Sequence, residues 1–215
     1  MSYAVKEIFY TLQGEGGRAG RPAVFCRFAG CNLWSGLERD RAKAQCSFCD
    51  TDFVGTDGQN GGKFANAEKL AEAIIAQWPS GVAKDAAYVV FTGGEPCLQL
   101  DTALLDVLHA QNFETAIETN GTLPVPEGVD WICVSPKPQS QLVQMRGQEL
   151  KFIYPQATLA PEQFSNLDFE HFYLQPMDTG AEATSWQNVQ AAIAYCLQHP
   201  QWKLSLQSHK LVGLD

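Results

Sequence analysis

The chain predicts an α/β architecture: a mostly parallel sheet rolled into a partial, open β/α barrel. Three observations carry that expectation. Short β-rich runs alternate with helical ones, as crossover connections between parallel strands require. Small, polar and turn-forming residues gather where successive runs end, and in parallel α/β folds those C-terminal ends share one face on which ligands bind. Third, the chain has 215 residues, short of the roughly 250 of a complete eight-fold barrel.

The elements follow in order. "AVFCRF" (23–28) is the first strand, with Ala23, Phe25 and Arg27 on one side and Val24, Cys26 and Phe28 on the other. It ends in "AGCN". The Gly/Asn/Asp-rich "GTDGQNGGKF" (55–64) is an exposed loop. Leu70, Ile74 and Trp78 recur at spacing four and predict a helix over 66–78, which Pro79 closes. "YVVFT" (88–92) is the second strand and leads into "TGGEP", and a helix follows at 99–110. "TAIET" (115–119) leads into "ETNG", "WICVS" (131–135) into "SPK", and the interval 120–130 is too short for a full helix. "LKFIY" (150–154) and "HFYLQ" (171–175) come next, the latter leading into "QPMD". A helix at 185–198 stops before Pro200, and "KLSLQ" (203–207) leads into "QSHK". No repeat or linker divides the chain, so one domain spans 1–215, large enough to bury a core unaided.

Composition narrows the function. No charged leader with an apolar run opens the chain and no stretch of about 18 apolar residues occurs, so the sequence predicts a soluble, cytoplasmic protein without membrane contact. A formal net charge of −9 argues against broad contact with a nucleic-acid backbone and for a small-molecule ligand. Seven cysteines, an odd number in a chain of this size, read as reduced thiols.

Four of those cysteines fall within 24 residues: Cys26, Cys31, Cys46 and Cys49. A redox pair, a structural zinc site and an iron–sulfur site compete for them. Cys26 alternates with apolar neighbours on its side of the strand and reads as core, as do Cys97, Cys133 and Cys196. Three loop thiolates remain, one short of a closed zinc tetrahedron. A cubane cluster on three cysteines leaves one iron open, which suits catalysis.

The three-cysteine loop, with "TGGEP" (92–96) after the second strand, resembles the radical S-adenosylmethionine (SAM) superfamily. Fourteen residues separate its first two cysteines, where the superfamily usually has three. With "YTLQGEG" (10–16), "FCRFAGCNLW" (25–34), "CDTDF" (49–53), "ETNG" (118–121), "VSPK" (134–137), "QPMD" (175–178) and "LSLQSHK" (204–210), the ordered set resembles the 7-carboxy-7-deazaguanine synthase family from residue 7 to the C-terminus.

The resemblance implies a ring contraction that converts 6-carboxy-5,6,7,8-tetrahydropterin to 7-carboxy-7-deazaguanine with loss of ammonia, on the route to queuosine and related 7-deazapurines. It implies a [4Fe–4S] cluster, SAM used catalytically through a 5′-deoxyadenosyl radical, and Mg²⁺ beside the substrate. It also implies an electron donor such as flavodoxin, and a homodimer. Carried over by position, Cys31, Cys46 and Cys49 would ligate the cluster within the loop 31–49. Phe48, Cys49 and Asp50 would line the SAM adenine and Gly94 its methionine part, while Glu95 and Pro96 shape the turn. Ser135, Pro136 and Lys137, with Gln175, Pro176, Met177 and Asp178, would add SAM contacts, and Glu118 and Asn120 would reach its ribose. Leu12, Gln13, Gly14, Glu15, Arg27 and Thr92 would meet the substrate. Arg27, beside the cluster loop, suits a carboxylate. Thr51 offers Mg²⁺ a hard oxygen, with Asp50 and Asp52 adding charge nearby. In the tail "HKLVGLD", Leu211, Val212 and Leu214 would dock at the barrel mouth, bringing His209 and the terminal carboxylate of Asp215 to the substrate. Two rivals remain at this level: a radical SAM activating enzyme for a glycyl-radical partner, and a zinc-binding module.

Overall fold

The computed structural model describes residues 2–214 apart from Lys84 and Ala86. Nine strands form one open sheet in the order β3-β1-β2-β4-β5-β6-β7-β8-β9. These are β1 (Tyr3–Leu12), β2 (Pro22–Phe28), β3 (Gly62–Phe64), β4 (Tyr88–Gly93) and β5 (Glu114–Thr119), followed by β6 (Trp131–Val134), β7 (Arg146–Tyr154), β8 (Asp168–Pro176) and β9 (Trp202–Leu204). From β2 through β9 every neighbouring pair is parallel. Those seven strands are the seven expected from the sequence, and the sheet is the open partial barrel that was expected. The structure adds two more: β1 runs antiparallel to β2, and β3 antiparallel to β1. The stretch 55–64, expected as loop throughout, therefore ends in a short edge strand.

The helices are α1 (Ala67–Ile75), α2 (Thr102–His109), α3 (Glu182–Gln198) and a five-residue α4 (Ser208–Val212). Asn66 and Asp101 cap α1 and α2 by accepting the backbone N–H of Lys69 and of Leu104. Leu70 and Ile74 are fully buried, as the spacing-four pattern demands. Between β5 and β6 the chain crosses without a helix.

Strand alternation separates two environments. Val24, Cys26 and Phe28 of β2, with Val89 and Phe91 of β4, pack into an apolar layer with α1 and α2. Val134, Leu150, Phe152 and Leu174 form the matching layer with Ala192 of α3. The alternate residues face the barrel interior, and its lower end is plugged. Arg18 and Arg21 both pair with Glu114. Their guanidinium groups lie 4.2 Å from the Trp131 ring centre and 3.9 Å from that of Tyr88. The upper end, where the parallel strands finish, holds a cavity.

Candidate active site

A cavity of about 400 Å³ occupies that open end, within the usual range for a small-molecule site. It is lined by the strand-end loops, by Leu12–Glu15 after β1, by the loop 46–52, and by Gln207, His209 and Lys210 near the C-terminus. All but three of the residues expected at the site line this one cavity. Pro136 does not, although Ser135 and Lys137 do. Cys31 stands behind Gly94. Asp215 lies outside the described residues.

The glycines explain how two loops come so close. Gly93 has φ +139°, and a Cβ there would come within 2.3 Å of the Phe28 carbonyl oxygen. A Cβ on Gly94 would fall 2.2 Å from the Gly30 oxygen and 2.6 Å from Cys31 Cβ. Neither position has room for a side chain, so the end of β4 presses its bare backbone against the cysteine loop. Glu95, fully buried, locks the arrangement. Its backbone N–H donates to Gly30 O at 3.0 Å. Its carboxylate accepts from Cys97 N at 2.9 Å, Thr119 Oγ1 at 2.7 Å and Asn120 N at 2.8 Å. Asn120 in turn donates to Asn32 Oδ1 at 3.0 Å, tying the β5 loop to the cysteine loop.

Within that loop, Arg41 donates to the carbonyls of Ser47 and Cys49, each at 2.9 Å, and lies over the Trp34 ring. The long insert between the first two cysteines thus folds back onto the second and third. The Cys46 thiol hydrogen-bonds to Cys49, which holds Cys49 down at about 6 and pushes Cys46 up. The Lys137 ammonium draws both thiols down. Burial raises Cys31, opposed by the N–H of Leu33. Among the described residues no group of three or more His, Cys, Asp or Glu side chains is gathered closely enough to hold a single metal ion. A cubane takes each thiolate on a different iron, and three cysteines around a glycine-lined approach supply that donor set. Cys26 is wholly buried in the apolar layer, away from the cavity.

The substrate-side residues form a second network. Arg27 Nε donates to Glu7 Oε1 at 2.7 Å, which fixes the guanidinium at the cavity wall. Gln13 Nε2 donates to Glu118 at 2.9 Å, and Gln13 Oε1 accepts the N–H of Glu15. Glu15 accepts from Gln175 and Gln207, both at 3.0 Å, and pairs with Lys151. Burial works to raise the Glu15 carboxyl, but the Lys151 ammonium, with the Gln207 amide, holds it at about 2. Glu118 and Gln175, expected against SAM, thus also touch residues expected on the substrate.

Two expectations are corrected. Asp50 and Asp52 do not lend Thr51 free charge: Asp50 pairs with Lys210 at 2.8 Å and Asp52 with Lys6 at 3.0 Å. Thr51 itself lines the cavity. The tail is not docked by its apolar residues either, since Leu211, Val212 and Leu214 are exposed. Polar contacts hold it instead. Ser208 donates twice to Gly14 O, and Lys210 bridges Asp50 and Asp178 at 2.8 Å each. His209 packs so closely on Gly14 that a Cβ there would lie 2.1 Å from Nδ1.

The sequence reading missed Lys151, Gln207, Lys210 and Glu7. For Lys151 a signal existed: in "LKFIY" a lysine stands in a strand between the core residues Leu150 and Phe152, so it points to the barrel interior.

No family model matches the chain. Among curated proteins it is 64% identical over 214 residues to the 7-carboxy-7-deazaguanine synthase of Caulobacter vibrioides, covering 100% of both chains. The same holds for that of Bordetella pertussis. The synthase of Bacteroides thetaiotaomicron is 39% identical, again over 100% of both. The fold is similar to the crystal structure of QueE from Escherichia coli, with a TM-score of 0.70, 28% identity, and 97% of this chain and 95% of that one covered.

Proposed function

The chain belongs to the 7-carboxy-7-deazaguanine synthase family, and from that membership we propose that its cavity converts 6-carboxy-5,6,7,8-tetrahydropterin to 7-carboxy-7-deazaguanine with release of ammonia. The observation that carries the reading is convergence. Cys46 and Cys49, with Cys31 directly behind Gly94, meet a glycine-bare strand end and a polar wall of acceptors and a guanidinium at one cavity. Identity of 64% over the full length leaves the glycyl-radical activating enzyme without support.

In this reading Cys31, Cys46 and Cys49 hold a [4Fe–4S] cluster, which when bound supplies one-electron reduction of SAM and the hydrogen-atom chemistry that follows. The residues of the chain bind, orient and shield. Gly94 leaves room for the methionine part of SAM, and Phe48, Asp50, Ser135, Lys137, Met177 and Asp178 border its remaining length. Arg27, held by Glu7, offers its free guanidinium edge to the substrate carboxylate. Glu15, kept ionised, has its Oε1 filled by Gln175 and Gln207 and keeps one acceptor site on Oε2 for a substrate N–H. The paired donors of the pterin ring fall to the terminal carboxylate of Asp215. The three side-chain partners of Glu15, namely Lys151, Gln175 and Gln207, fix its direction before the substrate arrives, which lowers the cost of ordering on binding. The Arg18–Glu114–Arg21 group, packed on Trp131 and Tyr88, fills the barrel end opposite the cavity. Thr51, which lines the cavity, would hold Mg²⁺ through its hydroxyl, a hard oxygen of the type that ion accepts. The assembly is a cytoplasmic homodimer of one radical SAM domain each, with the cluster loop at 31–49, served by a one-electron donor such as flavodoxin. Anaerobic incubation of the reconstituted protein with SAM, a reductant and the carboxypterin tests the proposal. A product with the mass of 7-carboxy-7-deazaguanine supports it; unchanged substrate beside an intact, SAM-binding cluster refutes it.

A further inference from the structure

The buried Lys151 ammonium that holds Glu15 ionised touches more of the barrel interior than that one carboxylate. Lys151 lies on the inward register of β7, with a side chain only 3% exposed. It pairs with Glu15 and donates to Glu118 Oε2 at 2.6 Å. Glu118 Oε1 accepts from Gln13, and Gln13 accepts from the Glu15 backbone. The contacts close a ring: Glu15, Lys151, Glu118, Gln13 and back to Glu15. From the plugged end Glu149 and Cys133 also face the ammonium, and His209 faces Glu15 from the tail.

The chemistry of such a ring is constrained. Two carboxylates within reach of one nitrogen repel each other strongly in a buried site, and without a cation between them one takes up a proton. A protonated Glu15 would present an O–H where the substrate requires an acceptor. An ammonium is suited to the position because its three donors radiate from one compact centre, whereas a guanidinium spreads its charge over a planar fork. The ring also spans both halves of the cavity. Gln13 and Glu15 descend from β1, while Glu118 stands at the end of β5 beside Asn120.

We propose that Lys151 is a positioning residue: by bridging Glu15 and Glu118 it sets the separation of the two carboxylates and keeps both ionised, one for the substrate and one for SAM. The ligand assignments rest on the function proposed above; the bridging itself does not.

The test uses the cluster-loaded protein as wild type, K151M, E118Q and the double variant K151M/E118Q. In K151M, difference infrared spectroscopy at neutral pH should show the C=O band of one protonated carboxylic acid that wild type lacks. K151M/E118Q, in which Gln175 and Gln207 still hydrogen-bond Glu15 and the Gly17 N–H still holds Glu149, should lose that band. Substrate KM should rise about tenfold or more in K151M with kcat changed less, the split expected when a residue sets ground-state alignment. If K151M does not fold, the double variant decides, since its charge is balanced: a KM well above that of E118Q supports the role. Folded K151M with no acid band and with KM and SAM affinity within about twofold of wild type would overturn it. Failure of the functional reading looks different: wild type would leave the carboxypterin untouched, while the infrared band and SAM affinity would still report on Lys151.

Discussion

Replacing Glu95 by glutamine changes one atom in a group that no ligand needs to touch, which makes the outcome calculable. The carboxylate takes two donors on Oε1 (Cys97 N and Thr119 Oγ1) and one on Oε2 (Asn120 N). An amide can keep only one acceptor, so its NH₂ settles where the single bond was. The Asn120 N–H then faces another donor in a fully buried place. Losing that bond costs about 1–3 kcal/mol, and the two surviving bonds fall from charge-assisted to neutral, roughly halving their strength. A total of about 2–4 kcal/mol follows. For a domain of this size each kcal/mol moves Tm by about 2–4 °C. E95Q should therefore melt roughly 5–15 °C below wild type. Because Asn120 also holds Asn32, and Glu95 N–H holds Gly30, the cysteine loop should loosen with it. Calorimetry on the cluster-free protein isolates the first effect. Iron retained under a chelator challenge, with wild type alongside, reads the second. An E95Q protein melting within about 2 °C of wild type would show that these three bonds do not carry the loop.

Three shorter expectations follow. C26A should keep its iron and its cluster spectrum, at a stability cost of about 1 kcal/mol for a small core cavity, while C46A should lose iron; equal loss from both would reverse the ligand assignment. T51A should bind SAM normally yet lose stimulation by magnesium, and an unchanged magnesium titration would remove Thr51 from the metal. Glu15 supplies a pH test. Its folded carboxyl sits at about 2 against an ordinary 4.5, so the stability it contributes is fully present above the ordinary value. That contribution is lost as pH falls through the folded one. The gap in unfolding free energy between cluster-free wild type and E15Q should therefore narrow from pH 4.5 down to about 2; a gap constant across that window would mean that Lys151 does not hold the carboxylate.

What the sequence displayed and what it concealed divide along one physical line. The seven parallel strands and three long helices were legible because burial writes a period: Val24, Cys26 and Phe28 alternate, and Leu70 and Ile74 recur at one helical turn. Strand β1 broke that rule. A bulge between Val5 and Glu7 shifts its register, and the buried Lys6 between them reads as surface until its partners Asp52 and Asp57 are in view. Strand β3 has only three residues and is defined by pairing with Tyr3–Val5, which leaves no pattern in its own side chains. The site divides in the same way. Its loops announced themselves as turn residues after each strand, whereas the bonds that aim its side chains join positions far apart in the chain. Lys151 reaches Glu15 across 136 residues and Lys210 reaches Asp50 across 160. A charge buried by a distant partner has no local signature. It shows only as an anomaly, a lysine between two core residues or an aspartate in a crowded loop. Such anomalies mark where a sequence is satisfying a constraint set elsewhere in the fold, and in this chain they surround the cavity.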